Sequence, residues 1–328
     1  HNVNELKDSI VLAPERLCEA NHDRFRTDLR LRCIGTYSID TGSRVEGNDE
    51  TQTSFDDAFV RVLSVRWSHT STMDSEGLHQ KLLSTHSDGS VAVWQYTATT
   101  PMSMKFCCRW AAHTYFGAAS EVWTACFSRH DPGTVFTGAD DGRLKMWQLG
   151  DDEQPTLAQS FSFGLDGHGV TILRTHPAPS ARSILVSGSY DGSVCVWNAR
   201  CISAGPLRKI EGRGGVWRLQ WHPSLRVTSE DNDLKYAKRN KLLAACMRGG
   251  SRVFDFDSIF PFAEQPVTKQ QPNLEVTDSI AVVQGKCHAE TSIVYGGAWL
   301  FPTNEVVGTC SFYDRHLTVW DASKDKQP

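Results

Sequence analysis

Short alternating runs of apolar and polar residues, each closed by a tight polar turn, recur along the chain and predict β-strands joined as hairpins. The pattern is sharpest in LLSTHSDGSVAVW (residues 82–94), VFTGADDGRLKMW (135–147), ILVSGSYDGSVCVW (184–197) and VVGTCSFYDRHLTVW (306–320). Each reads as a strand, a turn containing Asp, and a second strand ending in Trp. The offset is six residues in every copy: Asp88 to Trp94, Asp141 to Trp147, Asp191 to Trp197 and Asp314 to Trp320. A further alternating strand precedes each copy, at 62–69, 122–132, 170–177 and 294–302. A fifth unit joins GGVWRLQWHP (214–223) to LLAACMRGGSRVFD (242–255), with Phe254 standing where Trp would. The segment LRLRCIGTYSID (29–40) reads as the second strand of a sixth, degenerate unit.

These units resemble WD repeats over nearly the whole chain. The resemblance implies an all-β fold, a WD40-repeat β-propeller in which neighbouring blades bury each other's apolar faces and ring closure removes exposed strand edges. Six units are countable, at about 8–45, 58–97, 108–149, 165–200, 212–256 and 286–322, within one domain spanning 1–328. Residues 41–58, 226–240 and 257–285, rich in Gly, Ser, Thr, Gln, Pro or charge, read as linker and surface loops.

Composition narrows the function. A formal net charge of −4 offers no basic face, so nucleic acid is not an expected partner, and KYAKRNK (235–241) reads as a solvated loop. No apolar run approaches the roughly 18 residues of a spanning helix, and residues 1–16 are polar, so no membrane partner is expected and a cytoplasmic location is. Cys33, Cys126, Cys195, Cys246 and Cys310 fall within apolar alternating runs and read as reduced, buried thiols. Cys107 and Cys108 are adjacent, no C-x-x-C pair occurs, and neither a metal nor another cofactor is expected.

Hydroxyl, imidazole and carboxylate recur as His113, Thr137 and Asp141 and again as His168, Ser187 and Asp191. Such a set could be a hydrolytic triad. In WD blades, completed by Trp147 or Trp197, it is a buried hydrogen-bond chain, and its repetition favours that structural reading. Two units break the rule: Ala244 and Arg248 replace Ser and Asp in the fifth, and Cys310 takes the Ser position in the last.

Beyond the generic repeat, WAAH (110–113), VFTGADDG (135–142), GSYD (188–191), GGVWRLQWHP (214–223), LLAACM (242–247), SIVYG (292–296) and TCSFYD (309–314) are similar, in order, to the diphthine methylesterases of the diphthamide pathway. That family resembles a seven-bladed ring. The resemblance implies a carboxylic ester hydrolase that removes a methyl ester from a modified histidine of translation elongation factor 2, its protein partner. No G-x-S-x-G elbow and no H-E-x-x-H zinc helix is present, so site residues follow from position. The substrate implied carries a trimethylammonium group beside its ester, and aromatic faces attract such cations. Trp123, Trp217 and Tyr295, near the starts of innermost strands, are the expected substrate-binding residues. Arg218 is the expected donor to the ester carbonyl or product carboxylate, His222 and His288 candidate bases, and Cys310 or Ser311 a candidate nucleophile. Each has a packing or scaffold alternative. A non-catalytic adaptor, presenting a broad surface to protein partners, is the competing function.

Overall fold

The computed structural model describes residues 9–12, 31–34, 60–74, 77–98, 103–129, 131–150, 154–163, 168–178, 181–226, 240–256, 282–285, 288–289, 291–300 and 305–323. The chain divides into two compact units. In the first, β1 (Ser9–Leu12) pairs antiparallel with β2 (Leu31–Ile34), pairing Ile10 with Cys33. The strand expected near 29–40 is therefore present as half of a two-stranded sheet.

The second unit is a succession of antiparallel sheets. The first sheet runs β3 (Val62–Asp74), β4 (Gly77–His86), β5 (Ser90–Ala98), β6 (Ser103–Ala111). A small hairpin follows, β7 (Thr114–Tyr115) and β8 (Ala118–Ala119), with Phe116 at φ 47° on its tip. The second sheet is β9 (Thr124–Phe127), β10 (Thr134–Gly138), β11 (Arg143–Leu149), β12 (Pro155–Ser162), and the third β13 (Val170–Thr175), β14 (Ile184–Ser189), β15 (Ser193–Asn198), β16 (Arg208–Glu211). The fourth holds β17 (Arg218–Trp221), β18 (Lys241–Ala245), β19 (Ser251–Asp255) and β20 (Val282–Gly285); the fifth holds β21 (Val294–Trp299), β22 (Val306–Ser311) and β23 (Leu317–Asp321). Blade boundaries thus differ from the sequence units. The outer strand β6 crosses the expected break between 97 and 108, and the loop read over 257–285 ends as β20. The other expected loops, 41–58 and 227–239, lie outside the described residues.

Four of the five blades turn between their second and third strands on the repeated Asp, the fourth having Arg248 in its place. Asp88, Asp141, Asp191 and Asp314 each accept a hydrogen bond from the backbone N–H two residues on, at 2.7–3.1 Å. Gly89, Gly142 and Gly192 follow at φ 79°, 62° and 90°, a conformation open to glycine at little cost. In the fifth blade Arg315 holds it at φ 56°.

The core lies between successive blades. Leu83, Val91 and Val93 of the first pack with Val122, Phe127 and Val135 of the second. Phe136 and Leu144 of the second meet Leu173, Leu185 and Trp197 of the third, and Val186 and Val194 of the third meet Leu219, Leu242 and Phe254 of the fourth. The fourth and fifth join through Leu243, Val253, Trp299 and Trp320. Phe254 in place of Trp costs the fourth blade no burial. Gly188 sets the spacing at one junction, since a Cβ there would lie 2.5 Å from Val216 Cγ1 and 2.7 Å from Ile172 Cγ2. Gly188→Ala is expected to destabilise the protein by about 1–3 kcal/mol through overpacking, read as a lower denaturant midpoint. Among the described residues no helix is long and apolar enough to cross a membrane.

Candidate functional site at the inner-strand ends

The polar set of the second blade is a closed hydrogen-bond chain. Trp147 Nε1 donates to Thr137 Oγ1 at 2.9 Å, and Thr137 Oγ1 lies 2.7 Å from His113 Nε2. His113 Nδ1 is 2.9 Å from Asp141 Oδ2. The carboxylate can only accept, so in the neutral imidazole the proton sits on Nδ1, facing Asp141, and Nε2 accepts the Thr137 hydroxyl proton while the indole N–H donates to the same oxygen. Burial pushes the His113 pKa below its ordinary value, with the Asp141 hydrogen bond opposing, which fits this neutral tautomer. Both side chains are fully enclosed, so no substrate reaches them.

The third blade keeps only part of this arrangement. Trp197 Nε1 donates to Ser187 Oγ at 2.9 Å, but His168 is exposed, and Asp191 serves its turn and lies 3.9 Å from Lys209. In the fifth blade register corrects the sequence alignment. Val307 pairs with Trp320 as Val135 pairs with Trp147, so Thr309, not Cys310, occupies the hydroxyl position. His288 Nε2 lies 3.0 Å from Thr309 Oγ1 and 2.8 Å from Thr318 Oγ1, and its Nδ1 lies 3.4 Å from Asp314.

The N-terminal ends of the inner strands gather the expected substrate-binding residues. The Trp123 and Trp217 rings meet edge to face at 5.5 Å, and Trp217 meets Tyr295 at 5.8 Å. Phe312 extends this arc, 6.3 Å from Tyr295, and Tyr313 follows at 5.3 Å. Thr171, which holds the equivalent place in the third blade, bonds the Val216 carbonyl, and its small side chain lets Trp123 and Trp217 meet. Arg218 is exposed, its guanidinium 5.9 Å from the Trp217 ring centre. Arg66 on β3 is close enough that, after its own burial, the Arg218 charge further lowers its pKa. The exposed Arg218 guanidinium thus biases this end of the strands toward anions or carbonyl oxygens.

The proposed bases and nucleophiles distribute differently. His222 is fully buried at the opposite end of β17, its Nδ1 2.7 Å from Ser224 Oγ and its ring 4.6 Å from Trp299. That position removes it from the arc. His288 lies near it but is committed to the fifth-blade chain. Ser311 Oγ donates to Asp314 Oδ1, so the carboxylate stands between hydroxyl and imidazole, and His288 cannot take the Ser311 proton directly. Cys310 is exposed rather than buried, and sits over Gly296, where a Cβ would lie 2.4 Å from Sγ. Burial instead pushes the Cys126, Cys195 and Cys246 thiols up to about 12, which keeps them protonated. Among the described residues no group of His, Cys, Asp and Glu is placed to hold a metal ion.

Asp140 was not among the expected residues. Its Oδ1 accepts from Trp123 Nε1 at 2.6 Å, and its backbone N–H donates to the Glu121 carbonyl at 3.1 Å. It also lines a cavity of about 250 Å³ with Tyr115, Ala118, Ala119, Ser120 and Glu121. The signal available in the sequence was its place in the turn: Asp140 stands where Ser87, Tyr190 and Tyr313 stand in the other copies.

Residues 109–148 and 159–198 match the family model described as WD domain, G-beta repeat. A Dictyostelium discoideum protein named Diphthine methyltransferase homolog is 28% identical over 255 residues, covering 73% of this chain and 59% of the relative. The Homo sapiens protein named Diphthine methyltransferase is 30% identical over 194 residues, 59% of this chain and 37% of its own. The chain therefore spans between about a third and three fifths of the length of these relatives. Among solved structures, Sqt1 from Chaetomium thermophilum aligns with a TM-score of 0.48 at 17% identity, over 74% of this chain and 53% of its own. The chain is a WD40-repeat β-propeller protein, related in sequence to the proteins named diphthine methyltransferase.

Proposed function

We propose that the inner-strand ends bind the methyl-esterified diphthine residue of translation elongation factor 2 and that the protein hydrolyses this ester to carboxylate and methanol, a step of diphthamide biosynthesis. The observation that carries the reading is the meeting of Trp123, Trp217 and Tyr295 with Arg218 at one end of the inner strands, in a chain related to proteins whose name refers to diphthine. The aromatic rings offer faces to a trimethylammonium group. Arg218 offers N–H donors to the ester carbonyl, whose oxygen gains charge as the acyl carbon is attacked, and to the carboxylate product. In the hydrolysis, water oxygen bonds to the acyl carbon, the acyl C–O bond to the methoxy group breaks, and the methoxy oxygen leaves protonated as methanol.

The relatives' name denotes methyl transfer, and an isotope experiment separates the two chemistries. Incubating factor carrying a CD3 ester with the protein in H2(18)O is expected to release CD3OH and place one 18O in the carboxylate. A methyl group that stays on the factor, or leaves without 18O entering the acid, would sink the hydrolytic reading. Arg218→Ala is expected to lower kcat/KM for this substrate by about tenfold or more. Cys310→Ala tests the exposed thiol and Ser311→Ala the hydroxyl: full activity in both excludes them as nucleophiles and leaves water as the attacking group.

A non-catalytic adaptor is the second reading, favoured by the exposed aromatics Phe116, Tyr190, Phe312 and Tyr313. Binding of the factor with its ester intact would select it. The basic stretch 235–241 gives no support to a nucleic-acid reading: Lys241 pairs with Glu305 and Asp255, and residues 235–239 lie outside the described residues.

A further inference from the structure

The aromatic arc has a charged end that the ester chemistry does not use. Asp140 presents a carboxylate at the Trp123 side of the arc, while Arg218 lies over Trp217. Trp123 N–H occupies Oδ1, and among the described residues no Lys, Arg or His forms an ion pair with Asp140. Its neighbour in the cavity wall, Glu121, is already paired with Arg61 at 2.9 Å. The carboxylate is held in place rather than adrift, because its backbone N–H is tied to Glu121 and Gly169 gives it room. A Cβ on Gly169 would lie 2.4 Å from Asp140 Oδ1 and 3.1 Å from its Cα.

We infer that Asp140 is the counter-ion of a quaternary ammonium group bound against Trp123 and Trp217, so that the site reads a ligand with a cation at the Asp140 end and an ester or carboxylate at the Arg218 end. The chemistry selects this class of cation. A small metal ion or primary ammonium keeps its water against a lone exposed carboxylate and gains little from indole. An alkylated ammonium has a greasy, weakly hydrated surface that suits aromatic rings, and a full charge that suits the carboxylate. The polarity also gives the arc an orientation: the substrate's cationic group settles first against Asp140 and Trp123, which turns its ester toward Arg218. Asp140 is a positioning and specificity residue here, acting on binding and not on the bond that breaks. The inference rests on the reading of the arc as the substrate site.

The test uses the whole chain and two small probes, choline and its uncharged carbon isostere 3,3-dimethylbutan-1-ol, with affinities from calorimetric titration. Choline is expected to bind about tenfold more tightly than the isostere. Asp140→Asn, which keeps an oxygen for the Trp123 N–H but removes the charge, should erase most of that preference while leaving isostere binding unchanged. Gly169→Ala, with Asp140 intact but displaced, should erode it in the same direction. Equal binding of the two probes to the unmodified protein, or a preference that survives Asp140→Asn, overturns the inference.

The ester assay keeps this outcome separate from that of the proposed hydrolysis. Choline discrimination that depends on Asp140, in a protein that leaves the factor's ester intact, supports the cation site and removes the hydrolytic reading. Hydrolysis with a KM indifferent to Asp140→Asn does the reverse. If both hold, Asp140→Asn should raise KM about tenfold and leave kcat nearly unchanged.

Discussion

Replacing His113 with alanine should destabilise the protein by roughly 3–5 kcal/mol, because it strands the buried Asp141 carboxylate and opens a cavity beside Thr137. His113 and Asp141 have fully buried side chains and are 2.9 Å apart, so no water replaces the lost imidazole without reorganising the turn. Asp141→Asn should cost less, about 1–3 kcal/mol, since the amide oxygen can still accept from His113 while the backbone N–H of Arg143 keeps a partner. Urea unfolding of both single variants and the double variant measures the coupling. A coupling below about 0.5 kcal/mol would show that the two residues do not act as one chain.

Acidification should destabilise the protein at pH values where ordinary carboxylates are still ionised. Burial lowers the pKa of His176 to about 3, and also lowers those of His113 and His86. These groups bind a proton near pH 6.5 once unfolded but resist it when folded. The unfolded chain therefore takes up more protons below that pH, and stability falls as pH falls. Their contribution is complete above pH 6.5 and, for His176, is lost progressively down to about pH 3. Between pH 6.5 and 5, His176 alone should remove about 2 kcal/mol, the 1.4 kcal/mol per pH unit of one differential proton. Thermal melts across that range should show the decline, with a shallower slope in His176→Gln. A melting temperature flat from pH 7 to 5 would contradict it.

The strands that carry the repeat were legible because both their faces are committed. Strands β10, β14 and β15 are buried almost throughout, so their apolar runs stand out in the sequence. The outer strands were not. β6, SMKFCCRWA, and β12, PTLAQSFS, are largely exposed or half-buried, and such surfaces leave little apolar periodicity to read. The fifth-blade hydroxyl was misplaced by one residue for a related reason: Thr309 and Cys310 are adjacent, and only the pairing register tells which faces His288. His168 matched the motif by order alone and lies exposed, while His222 matched a catalytic type but is buried as packing against Trp299. At the arc, aromatic residues at strand starts were visible as a pattern. The carboxylate beside them was not, because the neighbouring Asp141 already explained the turn, and proximity of Asp140 to Trp123 is a property of the folded chain.

The His113 chain also orders assembly in time. His113 follows β6, the outer strand of the first blade, yet its partners Thr137 and Asp141, and the Trp147 that donates to Thr137, all belong to the second. During vectorial synthesis the first blade emerges complete with a latch that has nothing to close on until residue 147 has followed. The first two blades are thereby fastened together, so a nascent chain that has emerged past residue 113 but not yet past 147 displays an unlatched imidazole and an uncovered apolar face, features a chaperone can recognise.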